Sequence, residues 1–213
     1  MSFSLNEIDA MSKRAARGAG LDWGLAEEAA KATRWLCAHQ LDGCQLLACI
    51  LQEHHDRPHH LKAPPSLTGD WQAEALCPIS TGASLSDCAS EVARSGQVIC
   101  NLHSPLFLLP FVAASADATD CTLSMVWRDT HIVTDGRRLQ MQLPDPTLGP
   151  LETVDRVVIA QGGTLTTPVA RISRALPCPQ ALETLTTLAA LTYAPATESS
   201  RRLGAGSEQS DND

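Results

Sequence analysis

Imidazoles crowd one short stretch of this sequence, EHHDRPHH, with His54, His55, His59 and His60. Imidazole nitrogens ligate transition metals and move protons near neutral pH, so this is the first place to look for chemistry. A zinc protease needs HExxH on one helix, so that both rings face the ion with a glutamate beside them. Here Pro58 interrupts any helix before the second pair, and no glutamate stands between the pairs. A loop could still gather the four as metal ligands; the reading adopted is a polar loop, with no metal and no cofactor. His103 and His131 each stand alone near the ends of apolar runs. Either could serve as a general base, because an unperturbed imidazole titrates near pH ~6.5. The competing reading for each is a hydrogen-bonded structural histidine.

The eight cysteines, at 37, 44, 49, 77, 88, 100, 121 and 178, contain no CxxC pair and match no structural zinc spacing. They read as small buried hydrophobes and, in a cytosolic chain, as reduced thiols. No GxSxG elbow is present. VVIAQGGT has the strand and glycines of a phosphate loop but lacks its Lys-Ser/Thr, and reads as an ordinary turn. The closing stretch is chemically richer. Tyr193, Thr197, Ser199, Ser200, Arg201 and Arg202 concentrate hydroxyls and guanidinium groups just ahead of Gly204 and Gly206. Arginine forks and hydroxyls suit a carboxylate or phosphate, which makes Tyr193, Thr197, Ser200, Arg201 and Arg202 candidate ligand-binding residues. Chain ends are commonly frayed and solvated, so disorder is the favoured reading of the tail and a folded-back functional segment the alternative.

The elements that must position these groups follow from apolar spacing. Ser4 and Glu7 have the form of a capping box, predicting a helix from Leu5 to about Arg17 that stops at Gly18 or Gly20. In WGLAEEAAKATRWLCAHQLDGCQLLACIL, Leu25, Ala29, Ala32 and Leu36 form a stripe at helical spacing. Glu27, Glu28, Lys31 and Arg34 share the opposite side, with Glu27 placed to pair with Lys31. The alanines allow close approach of a neighbouring helix. Asp42 reads as the N-cap of a second helix. From His54 to Gly82, four prolines and no sustained period predict a long irregular connection. A short helix then begins at Ser86 and stops at Gly96, and QVICNL is a strand. Ser104-Pro105 reads as an N-cap and first helical position, opening a buried helix that Pro110 would kink; a strand is the other reading of that stretch. CTLSMVW is a strand, HIVTDGRRLQM a hairpin turning on Asp135-Gly136 in a type I′ turn, DRVVIAQ a strand, and Pro179 opens the last helix.

This order predicts an α+β fold: an N-terminal helical region packed on a small mixed or antiparallel sheet, with a C-terminal helix and a polar tail. The expected organisation is a single domain over 1–194, comprising a helical part to about 53, an irregular connection over 54–83 and a mixed part over 84–194. Residues 195–213 form the tail. A net charge of −8 and an aromatic share of 4% argue against nucleic acid, which requires a basic footprint and stacking platforms. No apolar run is long enough for a secretory signal or a membrane span, so the expected location is the cytoplasm.

The opening SLNEI…RAARGAG…WGLAEEAAKATRWL and the closing TYAPATESSRRLGAG…DND resemble a bacterial family catalogued as a domain of unknown function. That resemblance implies no activity, cofactor or catalytic residue. The helical pair is also similar, in glycine and alanine spacing alone, to the start of the malate/lactate dehydrogenases that lack a Rossmann fold. Their serine-histidine-glycine stretch is replaced by Cys44-Gln45-Leu46, and the chain is much shorter than such an enzyme. The functional expectation is a cytosolic accessory or small-molecule-binding protein of metabolism, recognising a small anionic metabolite or a partner enzyme. Alternatives are an acid/base enzyme on such a metabolite and a structural partner subunit using the alanine-rich helical face.

Overall fold

The computed structural model describes residues 2–142 and 152–193. In chain order the elements are β1 (Phe3–Ser4), α1 (Leu5–Gly18), α2 (Trp23–Ala38), α3 (Gly43–Asp56), β2 (Trp71–Leu76), α4 (Pro78–Asp87), α5 (Ala89–Ser95) and β3 (Gln97–His103). A 3-10 turn (Pro105–Leu108) leads into α6 (Leu109–Ala118), followed by β4 (Leu123–Trp127), β5 (Thr130–Thr134), β6 (Leu139–Gln142), β7 (Thr153–Gln161), β8 (Arg174–Ala175) and α7 (Pro179–Ala190).

The first three helices begin where a side chain can satisfy the free amides of a first turn. Ser4 Oγ accepts from Glu7 N at 3.2 Å while the Glu7 carboxylate accepts from Ser4 N at 2.7 Å, the reciprocal capping box. Asp22 and Asp42 cap α2 and α3 by accepting from Leu25 N and Gln45 N, each such cap being worth ~1 kcal/mol. Ala26, Ala29, Ala30 and Ala32 are buried in α2, so its alanine-rich face is spent within the chain. Two glycines mark close approaches between helices. A Cβ on Gly18 would sit 1.8 Å from Leu188 O of α7, and one on Gly43 would sit 2.6 Å from Thr33 O of α2. The ion pairs differ from the predicted one: Lys31 binds Glu28, and Glu27 reaches across to Lys13 of α1.

A six-stranded mixed sheet runs in the order β2-β3-β7-β4-β5-β6, with β2 and β3 parallel and every other pairing antiparallel. β1 and β8 form a separate two-residue pair beside the helices. α5, α6 and the 3-10 turn lie against the sheet; α4 packs on α6; α2 and α3 pack on that layer, and α1 and α7 close over them. Trp71, Trp127, Phe107, Ile99 and Ile159 are fully enclosed between these layers, and the buried apolar side chains form one continuous cluster. The fold is α+β.

Four local expectations are revised. The irregular connection is shorter than 54–82, because Trp71–Leu76 is a strand and α4 already begins at Pro78. Ala73, Glu74 and Ala75 are residues of low strand propensity, and pairing of Trp71, Gln72 and Leu76 with β3 sets the strand. Ser104 stands at the N-cap position ahead of Pro105 as expected, but of a 3-10 turn, at φ +46° and without a side-chain cap bond to that turn. Pro110 falls in the first turn of α6, where a missing amide costs no hydrogen bond. The β5–β6 hairpin forms as expected, but its loop has four residues, closed by Asp135 Oδ1 accepting from Arg137 N and Arg138 N.

Candidate functional site at the end of the central parallel strands

β2 and β3 are the only parallel neighbours in the described sheet, and their carboxyl ends form the kind of edge where α/β proteins seat ligands. His103 is the last residue of β3. The backbone around it is shaped by two left-handed residues, Asn101 at φ +55° and Ser104 at φ +46°. Asn101 lies at the irregularity in the β2–β3 register and its Nδ2 donates to Ala73 O at 2.9 Å. Asparagine tolerates this region well; for Ser104 the conformation costs ~1–3 kcal/mol, a kind of strain that clusters at functional sites. Ser104 N is held by Glu152 O at 2.8 Å, and the Glu152 carboxylate pairs with Arg128.

The His103 ring is 7% exposed. Its Nδ1 lies 3.2 Å from Oγ1 of Thr153, its register partner on β7. Its Nε2 is fully enclosed and has no hydrogen-bond partner among the described residues. Burial pushes the imidazole below its ordinary pKa; the Glu53 carboxylate opposes this, while His60 and Arg57 add to it. The ring is therefore neutral at pH 7. If Thr153 accepts from Nδ1–H, Nε2 is an available base; if Thr153 donates, Nε2 carries the proton.

The charges felt at the ring come from the C-terminal end of α3 and the residues just after it. The Glu53 side chain is mostly buried, pairs with Arg57 one turn later and has a carboxylate oxygen 3.4 Å from His60 Nε2. One carboxylate thus holds a guanidinium and an imidazole within electrostatic range of a second, buried imidazole. Such a group can bind an anion through Arg57 and His60 and exchange a proton through His103.

The sequence candidates are distributed as follows. His60 and His103 are brought into one electrostatic group. His54 is half-buried, and burial together with His59 and His55 lowers its pKa; His55 and His59 are exposed. Among the described residues no three His, Cys, Asp or Glu side chains are placed to hold a metal ion. His131 lies in mid-strand between Val126 and Gln142, on the opposite face from buried Ile132. Tyr193 is 62% exposed and its hydroxyl accepts from Arg14 Nη1 at 2.9 Å. Thr197, Ser200, Arg201 and Arg202 lie outside the described residues. Glu53, Arg57 and Thr153 were not singled out from sequence. The i,i+4 spacing of Glu53 and Arg57 was a usable signal; Thr153 reaches His103 only through sheet pairing.

Residues 3–97 match the model of a family described as "Protein of unknown function (DUF3726)". The span takes in α1 to α5 and the α3 end of the site, and it stops before His103; the closing stretch from Tyr193 lies beyond it. No curated protein and no solved structure matches the chain.

Proposed function

We propose that this chain is a cytoplasmic accessory protein of metabolism that binds a small anionic metabolite at the end of β3. The observation that carries the reading is the enclosed Nε2 of His103, which has no partner among the described residues and lies within electrostatic range of Arg57 and His60. A buried polar atom without a partner costs ~1–3 kcal/mol, and a ligand atom that satisfied it would recover that cost. Arg57 gives the ligand its sign, and Glu53 lies within ion-pair distance of Arg57 and His60. The eight free cysteines suit a reducing compartment, and no helix of the described residues is long and apolar enough to cross a membrane.

The neutral His103 ring favours a second reading, in which the bound metabolite undergoes a proton transfer at Nε2. Thermal shift against a panel of phosphorylated and carboxylated metabolites tests binding. The full chain, a version truncated before Pro195 and the Arg57→Gln variant should be run side by side. A shift that survives truncation and is lost in Arg57→Gln supports the site; a shift lost on truncation alone places recognition in the tail. Product formation from a hit compound, abolished in His103→Gln, would support the enzymatic reading.

A further inference from the structure

Away from that site, the corner between α2 and α3 brings together thiols that the binding site does not use. Cys37 sits in the last turn of α2 and Cys44 in the first turn of α3, both buried, with their sulfurs 3.9 Å apart. Gly43 allows this approach, because a Cβ there would meet Thr33 O, Leu36 Cβ and Cys37 Sγ. The two sulfurs are not equivalent. Cys37 lines a cleft of about 200 Å³ with Gln40, Leu41, Asp42 and Leu176, whereas Cys44 is wholly enclosed. A cleft of that size admits several water-sized molecules.

We propose that Cys37 and Cys44 form a peroxide-sensitive dithiol, with Cys37 as the attacking thiol at the floor of the cleft and Cys44 as the resolving thiol behind it. The local field supports this order. Hydrogen bonding from the Cys44 thiol, with help from the amides of Cys44 and Gly43 at the start of α3, holds Cys37 below the ordinary thiol range against its burial and the Asp42 carboxylate. Cys44 is displaced upward by the same hydrogen bond and by burial, with Asp42 and Cys178 adding to it. The thiolate is the form that attacks, and although Cys37 itself lies in the last turn of α2, the first amides of α3 favour that form at its sulfur. Hydrogen peroxide supplies the oxidant. Cys37 thiolate attacks one peroxide oxygen, the O–O bond breaks, and hydroxide leaves and takes a proton to become water. Cys44 sulfur then attacks the Cys37 sulfenic sulfur, the S–O bond breaks, and the Cys44 proton leaves with the departing hydroxide as a second water. Two thiols and one peroxide give one disulfide and two waters, and an external dithiol reverses the change. The remaining sulfurs nearby are otherwise engaged: Cys178 donates to Gln45 Oε1 at 2.8 Å, and Cys49 accepts from Gln45 Nε2 at 3.2 Å.

The test treats the full chain with a small molar excess of hydrogen peroxide. Free thiols are then counted, and the disulfide is mapped after cleavage before Asp42, which separates Cys37 from Cys44. The expected result is the loss of two of the eight thiols, a mass lower by two hydrogens and a Cys37–Cys44 link, all reversed by dithiothreitol. In Cys44→Ser, dimedone should trap a sulfenic acid on Cys37; in Cys37→Ser that adduct and the disulfide should both be missing. Cys49→Ser and Cys178→Ser should behave as the native chain does. The mapping on the native chain stands independently of whether the buried serine variants fold. A disulfide between any other pair, or first oxidation at Cys49, Cys77, Cys88, Cys100, Cys121 or Cys178, would overturn the proposal.

Discussion

Thr153 Oγ1 holds His103 Nδ1 at 3.2 Å across the β3–β7 pairing, so a strand register fixes the orientation of a buried imidazole. Replacing Thr153 with valine keeps the β-branched shape and removes the hydroxyl. It should leave both ring nitrogens of His103 without partners and cost ~1–3 kcal/mol. Thr153→Ser should lose much less. Urea unfolding of the two variants separates the hydrogen bond from the packing, and equal losses would show that the hydroxyl does not hold the ring.

A pH dependence follows from burial of the same ring. His103 has a folded pKa below its unfolded value of about 6.5. Between those two values the unfolded chain binds the proton and the folded chain does not, so stability is complete above pH ~6.5 and falls as pH drops towards the folded pKa. His39 and His54 are displaced in the same direction by burial, so the total slope belongs to more than one residue. The share due to His103 is the difference between the native chain and His103→Gln. The variant should lose less stability between pH 7.5 and 5, as measured by denaturant unfolding; parallel profiles would count against a buried neutral ring.

Gly18→Ala puts two opposing effects on one position. Alanine in a helix interior gains ~1 kcal/mol over glycine. Here the added carbon would lie 1.8 Å from the Leu188 carbonyl oxygen, and a backbone atom cannot swing aside as a side chain can. Overpacking of this kind typically costs ~1–3 kcal/mol, so the net change should be destabilising. A lower thermal midpoint for Gly18→Ala checks it; an unchanged or higher midpoint would mean that α7 can move off α1.

The same contrast between local and distant causes sets how much of the molecule was legible in its sequence. Ser4, Asp22 and Asp42 cap their helices through side chains three residues from the amides they satisfy, and such starts can be read from short spacing. The hairpin at Asp135, the strands β3, β4 and β7 and the opening of α7 at Pro179 were legible for the same reason. β2 was not, because Gln72, Ala73, Glu74 and Ala75 lie in a strand set by distant pairing, with β3 at Trp71, Gln72 and Leu76 and with Lys62 beside Ala75 and Leu76. At the site, His103 and His60 were visible as residues with useful chemistry. Their association was not, since it depends on how the end of α3 packs near the end of β3. The alternation of the two cysteine roles at the α2–α3 corner was hidden too: a gap of seven residues matches no motif, yet a helix–turn–helix brings the sulfurs together.

Asn101 tests the backbone that presents the site. Asn101→Gly accepts φ +55° but loses the bond to Ala73 O, whereas Asn101→Ala loses the bond and strains the backbone as well. Alanine should therefore be the more destabilising, by ~1 kcal/mol or more. Both variants should weaken ligand binding through displacement of His103. If urea unfolding gives equal losses for the two, backbone strain plays no part there.

The most direct test of the account is an imidazole nitrogen NMR spectrum of the full, ¹⁵N-labelled chain at pH 7, with each anionic metabolite of the panel added in turn. The account expects His103 to be a neutral ring in the free protein, and at least one compound to move its Nε2 resonance in the native chain but not in Arg57→Gln. A protonated His103 ring, or an Nε2 resonance that stays fixed with every compound, would contradict the assignment of this cluster as the binding site.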